Sequence, residues 1–215
     1  RLVTFADATT LKATVDSRGW VTAITNEANA TTSYAYDSMG RVSQVTYPSG
    51  DPVAWTPTTV TFTKGTSAAF GLPAGHWKQT TTRSPYRKEV YFDALWRPVL
   101  QREWQLNNPT PTMRYSSWVY DHANRVTFSG YPRASASSLA SFTAGTGTRY
   151  DALGRVTRVE QDSEIGDLVT STAYLPGLGT RVTNPRGHIT LTTSRAFDDP
   201  DGVRIGGQNL LAARI

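Results

Sequence analysis

At 215 residues, with a mean hydropathy of −0.40 and 38% apolar residues, the chain is too polar for a thick core, yet six Trp and ten Tyr argue against disorder. The net charge of +5 comes from 22 basic residues, 18 of them Arg, scattered singly, which makes a weakly polyanion-attracting surface rather than a reader of nucleic acid. Without cysteine there is no disulfide, Cys-ligated zinc or thiol catalysis, and no apolar run approaches the roughly 20 residues of a membrane helix.

Read in chain order, the first recognisable element is the turn DSRGWV from Asp16. YAYDSMGRV follows at Tyr34 to Val42. Thr-rich alternation in TPTTVTFTKG and HWKQTTTRS predicts strands, since β-branched and aromatic residues in short runs between Gly, Pro, Asn and Asp suit a pleated surface. VYFDALWRPV is the next copy, around Asp93. WVYDHANRV is another, around Asp121. SASSLASFTA, residues 135 to 144, is the one helical candidate, and it lacks an apolar stripe, so a loop serves equally. RYDALGRV, around Asp151, repeats the pattern closely. NPRGHI, from Asn184, keeps only the turn and the outgoing strand.

Aligned on these acidic or amide residues, the copies are spaced 21, 56, 28, 30 and 33 residues apart, and the widest gap has room for one worn copy. Such a period fits a unit of two or three strands. In each unit, an Asp at the first position of a type I turn accepts a backbone N–H two residues on, and the Gly takes the positive φ that closes a three-residue hairpin with a bulge. The turn residues so assigned are Tyr36, Asp37, Gly40 and Arg41; Asp93 and Arg97; Tyr120, Asp121, Asn124 and Arg125; and Tyr150, Asp151, Gly154 and Arg155. Asn124 tolerates the left-handed conformation; Trp96 does not, and a changed hairpin is expected there. Val42 and Val45, three apart, face opposite sides of a regular strand, which calls for a bulge or for apolar contacts on both faces. As a general base the repeated Asp lacks a tuned partner, so no catalytic residue is assigned.

YAYDSMGRVSQVTYPSG and TRYDALGRVTRVEQDSEIG resemble the YD repeats, also called RHS repeats, whose pattern is Y-D-x-x-G-R followed by a short strand and a Gly or Pro turn. AGHWK, YFDALWRPVL and TNPRGHITLTTSRAFDDP resemble stretches of long bacterial RHS proteins. The resemblance implies an all-β fold, with repeated antiparallel β-hairpins forming an open curved strip of a YD-repeat shell, and residues 1–215 as a single array. It implies a structural, non-enzymatic segment that encapsulates and helps deliver a C-terminal toxin or effector. It places the protein outside a bacterial cell, secreted or at the surface, with the rest of its shell and the enclosed toxin as partners. Both ends read as cuts within something longer, and the unpaired edges of such a strip are expected to drive self-association.

Other sites are sparse. His76, His122 and His188 lack metal-ligand spacing, and the cluster Asp198, Asp199 and Asp201 lacks that of a calcium loop, so neither metal nor cofactor is expected. Asp199-Pro200-Asp201-Gly202 only loosely echoes the motif beside the family's self-cleaving protease, and no protease residues are assigned. The alternative function is a carbohydrate- or cell-surface-binding module in which Trp55, Trp77 and Trp104 stack on a ligand.

Overall fold

The computed structural model describes residues 1–50, 52 and 54–194, together with the backbone of the strands over 200–205 and 208–209. Asp198 and Asp199 lie outside the described residues, and Asp201 is described only as strand backbone. The fold is all-β, built of successive antiparallel hairpins. In chain order the strands are β1 (Leu2–Thr4), β2 (Thr10–Val15), β3 (Val21–Thr25), β4 (Thr31–Tyr36), β5 (Val42–Thr46), β6 (Thr58–Lys64), β7 (Trp77–Arg83), β8 (Tyr86–Phe92) and β9 (Pro98–Gln105). A four-residue helix, α1 (Pro109–Thr112), precedes β10 (Arg114–Tyr120), β11 (Val126–Arg133), β12 (Gly145–Tyr150), β13 (Val156–Gln161), β14 (Leu168–Leu175), β15 (Gly179–Thr183), β16 (Ile189–Ser194), β17 (Pro200–Ile205) and β18 (Gln208–Asn209). The expected helical candidate contributes only a 3₁₀ turn at Leu139–Ser141.

Two compact units divide the chain. The first comprises Arg1–Ser116 with Pro132–Ser141, the second Ser117–Tyr131 with the residues from Phe142 onward. In the first, β1 to β9 each pair antiparallel with the next strand in the chain. In the second, β11 to β18 do the same.

The register settles the valine problem in favour of a bulge. Tyr36 pairs with Val42, but Ala35 pairs with Gln44 and Tyr34 with Val45, so Ser43 is the extra residue. Since Tyr34 and Tyr36 share a face, the bulge brings Val42 and Val45 onto that same face. The identical slip occurs opposite Tyr150, with Thr157 extra, opposite Val15, with Thr22 extra, and opposite Phe92, with Val99 extra. At two of these bulges a Thr hydroxyl donates to the strand opposite, Thr22 to the Thr14 carbonyl at 3.4 Å and Thr157 to Arg149 at 3.2 Å, and Thr127 donates likewise to Val119 at 3.2 Å.

The core is thin. Among the described residues, the buried apolar side chains are Leu72, Val90, Tyr91, Val99, Leu100 and Phe142. The first five belong to the first unit and gather around β8, β9 and the loop of residues 65–76 that joins β6 to β7. That loop lays Phe70 edge-on against Tyr91, with ring centroids 5.1 Å apart. On the same face Glu89 is 2% exposed. Its Oε2 accepts hydrogen bonds from Arg102 Nε at 2.7 Å and the Tyr91 hydroxyl at 2.9 Å, and Lys78 Nζ lies 3.2 Å and Arg87 Nη2 3.4 Å from Oε1. Phe142, in the second unit, packs where Gly130 leaves room; a Cβ on Gly130 would stand 2.7 Å from its ring.

Candidate functional site

The repeated turn is built the same way four times. The Asp37 carbonyl accepts from Gly40 N at 3.0 Å, and Asp37 N donates to the Arg41 carbonyl at 2.8 Å. Oδ1 of Asp37 accepts from the backbone N–H groups of Met39 (2.9 Å) and Arg41 (3.0 Å), while Oδ2 accepts from Arg41 Nε at 2.7 Å. Asp93 binds Leu95 N, Arg97 N and Arg97 Nε at 2.9, 3.0 and 2.7 Å. Asp121 binds Ala123 N, Arg125 N and Arg125 Nε at 2.8, 3.0 and 2.7 Å. Asp151 binds Leu153 N, Arg155 N and Arg155 Nε at 2.9, 2.9 and 2.8 Å. One carboxylate thus closes the turn and aims an arginine.

Gly40 and Gly154 both have φ of +81°, and Asn124 takes +61° in their place. Gly40 answers a second demand, since a Cβ there would stand 2.8 Å from the Trp20 ring. The hairpin at Asp93 does not change its geometry, contrary to the expectation from Trp96. Trp96 adopts φ +61°, with its N–H 3.1 Å from the Asp93 carbonyl. The backbone cost of about 1–3 kcal/mol for such a conformation is offset by ring packing: Trp96 stacks on Trp77 with centroids 5.3 Å apart and contacts Phe92 at 5.8 Å.

Asp16 and Asn184 cap the same turn through Oδ1, as does Asn26, a copy missed in the sequence because its strand-leading residue is Ala30 rather than Arg or Trp. Its signal was Asn29 at the fourth position, with φ +59°, matching Asn124. The long gap between Asp37 and Asp93 holds no further capped turn among the described residues. The loop of residues 65–76 and the Ser84-Pro85 turn occupy it.

The arginine and tyrosine of the motif reach between repeats. The Arg41 guanidinium lies 4.1 Å from the Phe62 ring centroid, Arg125 4.6 Å from Tyr150 and Arg155 3.9 Å from Tyr174, the rings standing in β6, β12 and β14. In the reverse direction the Tyr150 hydroxyl donates to the Val126 carbonyl at 2.9 Å, Tyr174 to Val156 at 3.1 Å and Tyr36 to Val21 at 2.7 Å. The Val21 and Val156 carbonyls immediately precede bulge residues, where the ladder is disrupted. Trp20 stands in the arginine position of its copy and packs on Tyr36 at 5.1 Å. Tyr120 forms the end of β10, next to Asp121. Replacing Tyr150 by Phe removes the bond to Val126 and is expected to cost about 1 kcal/mol, read as a lowered denaturant midpoint with the strand content unchanged.

The electrostatics suit anchoring rather than proton transfer. The Arg backbone N–H, ahead of its guanidinium, holds the carboxyls of Asp37, Asp121 and Asp151 below the ordinary value. Burial pushes Asp93 up, but Arg97 and the turn amides overcome it. A general base that works near neutral pH needs the opposite shift. Among the described residues no three His, Asp or Glu side chains gather as a metal site. No described helix is long and apolar enough to cross a membrane.

The three tryptophans assigned to ligand stacking are separate. Trp55 is 52% exposed, beside Tyr47 at 6.1 Å and under the Arg83 guanidinium at 4.7 Å. Trp104 has Arg87 at 5.5 Å and Arg102 at 5.1 Å from its centroid. Trp77 stacks on Trp96 beside a cavity.

The RHS Repeat family profile matches residues 15–52, the stretch that holds the turns at Asp16, Asn26 and Asp37. Residues 15–52 thus carry an RHS repeat. No curated protein matches the chain. Among solved structures, the crystal structure of TcdB2-TccC3 is similar to this chain with a TM-score of 0.58 at 15% identity, over 95% of this chain and 14% of that one. The likeness is one of fold, and this chain spans about one seventh of that structure's chain.

Proposed function

We propose that this RHS-repeat chain is a wall segment of a β-shell that encloses a C-terminal toxin or effector, outside a bacterial cell, and has no catalysis of its own. One observation carries the reading. The residues that give the motif its chemical look are engaged in joining hairpin to hairpin, with Asp on the turn, Arg on the next ring and Tyr on a carbonyl of the preceding hairpin. A wall needs this: each repeat adds area without a thick core, and its stability comes from the neighbour. The likeness to TcdB2-TccC3 supports the shell form of the proposal. Limited proteolysis of the full-length protein tests it. A C-terminal passenger is expected to resist cleavage in the intact protein and to become susceptible when Asp121 and Asp151 are both replaced by Ala. A passenger cleaved equally fast in both would contradict containment.

A further inference from the structure

We infer that the first unit carries an oxyanion site for a phosphate group, on the face of β7, β8 and β9 where Lys78, Arg87 and Arg102 surround Glu89. The register brings these side chains together. Arg87 stands opposite Thr82 and Trp104, Glu89 opposite Arg102, and Tyr91 opposite Lys78. Directly opposite residues share a face, and so do residues two apart in one strand, so all of them lie on one side of the sheet.

Three cations there meet one carboxylate. Lys78 Nζ and Arg87 Nη2 both approach Oε1 of Glu89, at 3.2 and 3.4 Å, and Arg102 Nη2 lies 2.6 Å from Oε2. Among the described residues no other carboxylate pairs with any of the three. Glu89 therefore leaves two positive charges unbalanced, on side chains that are mostly buried but still reach solvent. Like charges held this close repel, and partial burial strengthens the repulsion. An anion laid over the three heads relieves it. Lys78 and Arg87 share one carboxylate oxygen, so they stand close enough for a single tetrahedral oxyanion to bridge them.

A second observation points the same way. Arg87 Nε is buried without a hydrogen-bond partner, and a buried donor left unpaired calls for a missing partner. The contact of Arg87 Nη2 with Glu89, at 3.4 Å, is also longer than the roughly 2.7–2.9 Å of a good charge-assisted bond. The Nε–Nη2 edge of a guanidinium is a fork that takes two oxygens of one phosphate or carboxylate, and a rotation permitted by the long Glu89 contact turns that edge toward the ligand. Trp104 keeps the two guanidiniums together, with Arg87 and Arg102 at 5.5 and 5.1 Å from its centroid. Lys78 spends one of its three donors on Glu89. The half-buried Thr82, across from Arg87, adds a hydroxyl on the same face. Two unbalanced charges and donors of three kinds suit a tetrahedral dianion better than a flat, singly charged carboxylate.

The test is calorimetric titration of the protein with inorganic phosphate and, separately, with phenyl phosphate, at constant ionic strength set by sodium chloride. Saturable binding of at least one of them is expected. Arg87→Gln and Lys78→Gln are each expected to weaken it at least tenfold with the strand spectrum retained. Arg87→Lys, which keeps the charge and loses the fork, is expected to weaken it at least threefold, and it serves where a Gln variant loses its strands. Arg149→Gln, at an exposed cation of the second unit, is expected to bind as the parent does. Phenyl phosphate bound at least as tightly as the free ion identifies a phosphate ester as the ligand, and weaker or absent binding identifies inorganic phosphate. No saturable binding of either compound, unchanged binding in a folded Arg87 or Lys78 variant, or an equal loss in Arg149→Gln would overturn the assignment.

Discussion

Replacing Glu89 by Gln is expected to lower the stability of the first unit by about 3 kcal/mol, the low end for breaking a buried ion pair. The carboxylate is 2% exposed, whereas Lys78, Arg87 and Arg102 keep roughly a quarter to a third of their side chains in solvent. The loss is therefore mainly that of the acceptor around which three cations and the Tyr91 hydroxyl converge, and the cations recover part of their hydration. Burial pushes the Glu89 carboxyl up, but the hydrogen bond and charge of Arg102, the Tyr91 hydroxyl and Lys78 together hold it below its ordinary value of 4.5. The sign follows. A carboxyl with a depressed folded value contributes fully above about pH 4.5 and loses that contribution as the pH falls through the folded value. Thermal unfolding of parent and variant from pH 7 downward should show curves that converge in acid. A midpoint drop of roughly 6–12 °C at pH 7 is expected for a chain of this size. Glu103, on the opposite face of β9, accepts from Gln101 Nε2 at 3.4 Å and from the Tyr86 hydroxyl, whose pKa is pushed up to about 12 by burial and by Glu103. Glu103→Gln should cost less than about 1 kcal/mol, which separates a buried hub from a surface carboxylate.

The second large effect concerns the turn. Asp93→Ala removes three hydrogen bonds at once, two to backbone N–H groups and one to Arg97 Nε, and is expected to cost about 2–3 kcal/mol. Asp93→Asn should lose less than half of that, because Asn26 and Asn184 cap the same turn through Oδ1 with no carboxylate. The difference between Ala and Asn thus reports the two amide bonds, and the difference between Asn and Asp reports the arginine. With its folded value depressed, Asp93 contributes above its ordinary value of 3.8, and that share fades as the pH falls further. Chemical denaturation of the three proteins at pH 7 and at pH 3 checks both statements. Equal losses for Ala and Asn at pH 7 would show that the turn amides carry little.

Much of this architecture is legible in the sequence because the turn is a local event. Asp at one position, Gly or Asn three residues on and Arg one further fix the hydrogen bonds within five residues, and period-two alternation gives the strands on either side. What is not legible is whatever depends on the neighbour. Val42 and Val45 left a bulge and a two-sided sheet equally open, and the pairing of Tyr34 with Val45 decides between them. The ring that each arginine covers lies in a later strand, 21 residues on for Arg41 and 25 for Arg125, and neither Phe62 nor Tyr174 lies in a recognisable copy. Glu89 gave no signal at all, since Arg102 and Lys78 reach it only once β7, β8 and β9 are in register. Trp96 misled because local backbone preference argued against the turn, while Trp77 and Phe92, distant or facing elsewhere in the sequence, supplied the packing that holds it.

If the repeat residues build a wall, as we propose, electron cryomicroscopy of the full-length protein will show it. The expected image is a closed hollow particle whose wall includes these hairpins, with density for a passenger inside. An open or filamentous array with nothing enclosed would contradict it.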